Sequence, residues 1–239
     1  MTQTHIIEQA TEFLQALTVW EQQIPTLAWS SLQTEAKQGR VALFSVDMIN
    51  GFCTQGPLAS PRVQGIAPVV VSAFENAFAT GVRDFLLLQD CHAADAPEFT
   101  SFPPHCVAGT SEAETIPELA QLPFANTYRI FPKNSLDAFH NSDLAQWEQV
   151  HSDLSVAVII GDCTDLCVYS TAMHLKLHAN AHNRKLRVIV PANAVQTYDM
   201  PIETAKQLSA LPHNGDVLHL MYLYQMQLNG IEVVREMIR

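Results

Sequence analysis

The sequence predicts an α/β fold: three layers, α/β/α, around a six-stranded and mostly parallel sheet. Three observations carry this. From Val41 onward, short unbroken apolar runs rich in Val, Ile and Leu recur, and strands covered by helices on both faces read that way. Segments of helical periodicity separate those runs, the alternation that βαβ crossovers require. The chain has 239 residues and is 48% hydrophobic, enough for one large core without a second one.

Residues 1–39 read as an N-terminal helical extension, and residues 40–239 as the α/β domain. In the extension, Ile6, Ala10, Phe13, Leu14 and Leu17 recur at helical spacing and predict an amphipathic helix. Pro25 ends that region, and Ser30-Ser31-Leu32-Gln33 opens a second short helix. The apolar face of the first helix must pack either on the main domain or on another subunit of a homo-oligomer. The domain begins with a strand at Val41–Val46, a helix at Ile66–Thr80 and a strand at Phe85–Gln89. Tyr128–Phe131 is the third strand, Asp143–Val150 a helix, and Val156–Ile160 the fourth strand, which feeds a helix over Val168–His182. Leu186–Val190 is the fifth strand, followed by helices at Ile202–Ala210 and Asp216–Leu228. Asn229-Gly230 is a helix stop, after which Ile231–Val234 forms the sixth strand.

Thirteen basic against 24 acidic residues give a net charge of −11, which argues against a nucleic-acid or anionic-membrane partner. No apolar stretch approaches the roughly 20 residues of a membrane span. The N-terminus lacks a basic segment followed by an apolar core, so no signal peptide is expected. Five cysteines without a Cys-x-x-Cys pair fit a reduced, cytoplasmic setting better than a disulfide framework.

Open parallel sheets bind ligands beyond the carboxyl ends of their strands. Asp47 follows the first strand, Asp90 and His92 the second, Lys133 (after Pro132) the third and Cys167 the fourth. An acid, an acid–imidazole pair, an amine and a thiol therefore share one sheet edge, which points to an active site. Gly161-Asp162-Cys163-Thr164-Asp165-Leu166-Cys167 lies between strand and helix and puts Cys167 in a first helical turn. There, free backbone N–H groups and the helix dipole favour a thiolate. Read alone, Cys167 is a small buried hydrophobe, and Asp47 with Lys133 a structural ion pair. Read together, Asp47 takes the thiol proton, Lys133 holds both partners electrostatically, and the thiolate is the nucleophile. The backbone N–H groups of Cys163 and Cys167 are the natural oxyanion donors, with the Cys163 side chain structural.

Asp90 and His92 lie two residues apart on one face of an extended segment. His105 returns in Phe102-Pro103-Pro104-His105-Cys106, with Glu98 between. Two imidazoles with one or two carboxylates suit Zn²⁺, Fe²⁺ or Mn²⁺. Cys91 faces away, so Cys91 and Cys106 are left out of the ligand set. His174, His178 and His182 repeat every four residues on the helix after Cys167. With Lys176, Asn180 and Asn183 among them, they are expected to form a solvated polar stripe without a function.

The chain resembles the nicotinamidase / isochorismatase-like cysteine hydrolases. The motifs are Val46-Asp47-Met48-Ile49-Asn50-Gly51-Phe52, Gln89-Asp90-Cys91-His92, Phe102-Pro103-Pro104-His105-Cys106, Pro132-Lys133 and Gly161-Asp162-Cys163-Thr164-Asp165-Leu166-Cys167-Val168, in family order between Val41 and Val234. The resemblance implies the isochorismatase-like (Rossmann-like) fold, a catalytic triad of Asp47, Lys133 and Cys167, and a cis peptide before Cys163. The metal pattern matches the nicotinamidase branch, with Asp90, His92 and His105 as ligands of a divalent ion, Zn²⁺ first, and Glu98 at the place of a fourth ligand. It further implies that the metal holds a pyridine nitrogen and that Phe52 and Phe102 sandwich the ring. Gly51 stands where the family often has an acid, Phe102 where tryptophan is common, and Cys91 where an aromatic residue is frequent. The expected activity is hydrolysis of nicotinamide, a small-molecule amide, to nicotinate and ammonia through a thioester on Cys167. The rivals are an amidase for a carbamoyl or ureido compound and a non-catalytic binding protein on the same fold.

Overall fold

A computed structural model describes residues 3–239. The elements in chain order are α1 (Gln3–Gln23), β1 (Leu27–Ala28), α2 (Gln33–Lys37), β2 (Val41–Val46), α3 (Asn50–Cys53), α4 (Pro61–Gly65), α5 (Ala67–Thr80), β3 (Asp84–Asp90), α6 (Pro117–Ala120), β4 (Arg129–Lys133) and α7 (Ser142–Val150). They continue with β5 (Val156–Asp162), α8 (Cys167–Ala181), β6 (Arg187–Pro191), β7 (Val195–Gln196), α9 (Ile202–Leu208), α10 (Gly215–Leu228), β8 (Glu232–Val234) and β9 (Met237–Ile238). No helix among the described residues is long and apolar enough to cross a membrane.

The main sheet runs β4-β3-β2-β5-β6-β8, every pair parallel. The six predicted strands are all present, with ends shifted by a residue or two. The two-residue β7 adds a seventh by pairing with the end of β5. Side chains alternate between two cores. Val41 and Leu43 of β2 with Val156, Val158 and Ile160 of β5 join Val70, Phe74 and Ala77 of α5 on one face. Ala42, Phe44, Val46, Ala157 and Ile159 join Val168, Ala172 and Leu175 of α8 and Leu223 of α10 on the other. Burial on both faces is why these strands carry almost no polar residue.

From β2 the chain winds through β3 to β4, then returns to place β5 on the other side of β2. The reversal opens a crevice at the carboxyl ends of β2 and β5, the topological switch point. One glycine governs that junction. Gly161 is in register with Val46 and has φ +115, and a Cβ there would lie 1.9 Å from the Val46 carbonyl oxygen. No side chain fits, so β2 and β5 deliver their ends side by side.

Residues Gln3–Gln23 are helical as the spacing predicts, but the apolar stripe packs along only part of its length. Leu17 is buried and Leu14 half-buried, while Ile6, Ala10 and Phe13 are exposed. The helix rests on α10 through Phe13 and Trp20, which meet Tyr224 edge-on at 5.8 and 5.1 Å. Beyond it the chain joins the core: Trp29, Leu32 and Ala36 pack with Leu43, Phe74 and Phe85. β1 pairs with β9, tying the extension to residues far along the chain.

Candidate active site

Each strand end contributes one chemical group. Asp47 directly follows β2, and its left-handed backbone (φ 52), uncommon outside glycine, turns the chain sharply at the crevice. Asp90 and Lys133 are the last residues of β3 and β4 and are paired in register. Cys167 is the first residue of α8. All four are buried: Asp47 1% exposed, Asp90 2%, Lys133 3% and Cys167 5%.

Lys133 organises the cluster. Its ammonium lies 2.8 Å from Asp47 Oδ2, donates to Asp90 Oδ1, and is 3.4 Å from Cys167 Sγ. The Asp90 backbone N–H in turn donates to Asp47 Oδ1 at 2.8 Å. Donor atoms of Asp47, Asp90 and Cys167 lie within 4.8 Å of one another, and the lysine is the cation between them. Burial, reinforced by the Asp90 charge, raises the Asp47 carboxyl to about 6 against the pull of Lys133. Burial acts on Lys133 the other way, but Asp47 and Asp90 overcome it and hold the ammonium well above its ordinary range. The sequence predicts a thiol favoured as thiolate, and here the structure differs. Burial pushes Cys167 well above the ordinary thiol range, and Lys133 offsets only part of this. Both shifts run the same way, each favouring the protonated form of its group. A carboxylate held near 6 and facing a buried thiol has the chemistry to accept its proton.

The Asp162–Cys163 peptide is cis, as the resemblance implies. Neither Cys163 N–H nor Cys167 N–H donates to a backbone carbonyl among the described residues. The Cys163 side chain is turned to Asp162 Oδ2 at 3.4 Å. Below the turn, Asp165 Oδ2 is 2.8 Å from His213 Nε2, and His213 stacks on Tyr198 at 3.8 Å. These two residues pin the loop that carries both cysteines. His213 lies almost fifty residues downstream, and only the fold brings it there.

The three expected metal ligands converge. Asp90, His92 and His105 are buried, with donor atoms within 4.8 Å of one another. Whether a cation fits is decided by the outer ring nitrogens. His92 Nδ1–H donates to Asn134 Oδ1 at 3.1 Å, and that oxygen also accepts the Ala93 N–H. His105 Nδ1–H donates to the Pro103 carbonyl at 2.8 Å. Each Nε2 is thereby turned to the Asp90 carboxylate, 3.4 Å away for His92 and 3.7 Å for His105, where it can hold either a proton or a metal. Burial would lower the His92 imidazole, but Asp90 outweighs it and raises it, so a protonated ring donates to the carboxylate; a neutral ring offers its lone pair to a cation there, and the anchored Nδ1 groups are the usual outer partners of metal-bound histidines. His92 Nε2 has no hydrogen-bond partner among the described residues. Burial would raise Asp90, but Lys133 and the two imidazoles outweigh it and hold the carboxyl below its usual range. The donor set fits a divalent metal. Glu98 is half-buried and stands outside this cluster.

Phe52 and Phe102 both reach the His105 ring edge-on, at 5.6 and 6.2 Å. Sequence reasoning missed Phe99, which touches both His92 (5.4 Å) and His105 (5.6 Å) from a 3₁₀ turn. It also missed Asn134, although that residue directly follows Lys133. The glycine at 51 has a local cause. A Cβ there would lie 2.4 Å from Cys106 Sγ, and Cys106 N–H donates to the Glu112 carboxylate at 2.9 Å. A thiol thus fills the space a side chain at 51 would need, and a carboxylate arrives from residue 112 instead.

The histidine stripe on α8 needs correction. His182 is exposed as expected, but His174 and His178 are half-buried and turn toward Glu148 of α7, which is 4% exposed. A carboxylate on the neighbouring helix, invisible in the local sequence pattern, draws them inward.

Residues 41–218 match the family model for the isochorismatase domain. Nicotinamidase 1 of Arabidopsis thaliana is 29% identical over 213 residues, covering 83% of this chain and 86% of that protein. Among solved structures, the nicotinamidase of Bacillus subtilis superposes with a TM-score of 0.63 at 23% identity, over 82% of this chain and 99% of that one. The N-carbamoylsarcosine amidase of Thermoplasma acidophilum does so with a TM-score of 0.59 at 24% identity, over 82% and 96%. The two superpositions speak for the fold alone, whereas the family model spans most of the sequence: the chain belongs to the isochorismatase family of hydrolases.

Proposed function

We propose that this hydrolase, which acts on an amide C–N bond, is a metal-dependent nicotinamidase. One observation carries the reading: the Asp90–His92–His105 donor set adjoins Asp47, Lys133 and Cys167, and Asp90 belongs to both groups. A bound divalent ion, Zn²⁺ first among the candidates, supplies a Lewis-acidic point for a pyridine nitrogen. Phe52 and Phe102 flank the ring in this reading, and Glu98 acts only from beyond the ligand cluster. Five free cysteines fit a reducing, cytoplasmic setting.

In the reaction, Asp47 takes the Cys167 proton and Lys133 balances the charge on the sulfur it already touches. The thiolate attacks the carboxamide carbon, and the Cys163 and Cys167 N–H groups donate to the tetrahedral oxyanion, each worth about 3 kcal/mol. Protonated Asp47 gives its proton to the nitrogen, the C–N bond breaks, ammonia departs and a thioester remains. Asp47 then deprotonates a water whose hydroxide attacks the thioester; the C–S bond breaks, Asp47 returns that proton to the Cys167 thiolate, and the nicotinic acid released ionises to nicotinate by giving its proton to the departed ammonia or to solvent.

The test is ammonia release from nicotinamide and from N-carbamoyl compounds, with and without chelator, for wild type and Cys167→Ala. The expected result is chelator-sensitive release from nicotinamide that vanishes in Cys167→Ala. Metal-insensitive preference for a carbamoyl compound would establish the rival amidase. Absence of release from every amide would leave a binding protein.

A further inference from the structure

We propose that Glu148, His174 and His178 form a second divalent-metal site, separate from the Asp90 cluster, that ties α8 to α7. His174 and His178 are one helical turn apart, a spacing that directs both imidazoles to the same side. Glu148 approaches that side from α7. Its carboxylate is 2.5 Å from His178 Nδ1 through Oε1 and 3.5 Å from His174 Nε2 through Oε2. The three donor atoms lie within 4.8 Å of one another. Tetrahedral Zn²⁺ with bonds of about 2.0–2.1 Å holds its ligands about 3.3–3.4 Å apart, so the His174–Glu148 spacing already suits the ion, whereas His178 and Glu148, now in direct hydrogen-bond contact, must part by about 0.8 Å to admit it. Two imidazoles and one carboxylate form an established zinc set, with a fourth position left for water at this half-buried edge.

The surroundings hold the ligands in place. Phe139 stacks flat on His174, 3.8 Å between centroids and 2° between planes, which fixes the ring with Nε2 toward Glu148. On the other side of that ring, Asp137 Oδ2 lies 3.8 Å from Nδ1, beyond hydrogen-bond distance but near enough to accept the outer N–H of a metal-bound imidazole after a small side-chain movement. The competing cation is Arg184, whose guanidinium is 3.7 Å from Glu148 Oε1. It leaves Oε2, the oxygen facing His174, to the metal. His174 is seven residues along α8 from Cys167, about 10 Å at the helical rise. A metal here would fasten the helix that presents the nucleophile without touching the substrate.

The test is metal stoichiometry on the full-length protein. Chelator-treated protein is reloaded with Zn²⁺ and counted by mass spectrometry, and with Co²⁺ and read by its visible absorption. Wild type is expected to take two equivalents, Asp90→Asn/His105→Gln one, and His174→Gln/His178→Gln one. The four-fold variant is expected to take none, and His182→Gln two. In the Asp90→Asn/His105→Gln background, Zn²⁺ is expected to raise the thermal midpoint, and adding His174→Gln abolishes the rise. If that background binds no metal, or binds one equivalent that survives His174→Gln/His178→Gln, the cluster is only an ion-pair network with Arg184 and the proposal fails. Because that background lacks the first site, failure of the nicotinamidase reading would leave this count unchanged.

Discussion

Replacing Lys133 by methionine keeps most of the aliphatic stem and removes the ammonium. Asp47 and Asp90, 1% and 2% exposed, would then share the interior with no cation beside them, and burial with their mutual repulsion would drive Asp47 to take up a proton. The ammonium is 2.8 Å from Asp47 Oδ2, worth about 6 kcal/mol of Coulomb energy at an effective dielectric of about 20. Several kcal/mol of desolvation per ion oppose this, and breaking such a buried pair from one side costs about 3–5 kcal/mol. The assay is urea unfolding of chelator-treated protein, followed by tryptophan fluorescence, so that no bound cation stands in for the lysine. Lys133→Met should lose about 3–5 kcal/mol and all ammonia release. Cys167→Ala, which removes only a neutral thiol, should lose release while staying within about 1–2 kcal/mol of wild type. A Lys133→Met protein within about 1 kcal/mol of wild type would refute the reasoning. The lysine would then be a mobile surface-like charge rather than the centre of the cluster.

Gly161→Ala should lose at least about 3 kcal/mol or fail to accumulate as folded protein, because its Cβ would sit 1.9 Å from the Val46 carbonyl at φ +115. Circular dichroism and chemical denaturation check it, and wild-type stability would disprove the close approach. Gly51→Ala should cost about 1–3 kcal/mol by overpacking against Cys106 Sγ, and Cys106→Gly should recover part of that loss, since residue 106 has φ 45. A strictly additive double mutant would show that the two positions do not compete for space. Burial and the Arg62 guanidinium lower the His219 imidazole from its ordinary 6.5 to about 4. Between those values the unfolded chain binds more protons, so this stability is complete above about pH 6.5 and is lost as pH falls through 4. The difference reaches about 3 kcal/mol. In His219→Gln the stability–pH curve should flatten over that window, and an unchanged slope would assign it to other groups.

The sheet was legible because strands buried on both faces must be apolar throughout, and Val41–Val46 and Val156–Ile160 leave no other reading. Asp47, Asp90, Lys133 and Cys167 were legible because a parallel sheet collects its strand ends at one edge. What stayed hidden depends on contacts between distant segments. Phe99 lies in a 3₁₀ turn with no periodicity to announce it. His213 meets Asp165 from 48 residues away. The inward turn of His174 and His178 follows from Glu148, and a helix read alone gives no view of its neighbour's charge. The ionisation of Cys167 is a similar case. Its place at a helix start was readable and argues for a thiolate, but burial, which only the packed crevice reveals, works against it. The partial docking of α1 was unreadable because a stripe of apolar residues states what is available for packing and not how much of it a partner covers.

The pairing of β1 with β9 sets an order on biosynthesis. Leu27 N–H donates to the Glu236 carbonyl, Arg235 N–H donates to the Pro25 carbonyl, and the Arg235 guanidinium reaches the Gln22 carbonyl 213 residues away. At about 5–20 residues per second, a ribosome needs roughly 10–40 s to make that intervening stretch. Through that time β1 has no strand to pair with, while the partners of Trp29 and Leu32 at Leu43, Phe74 and Phe85 are already made.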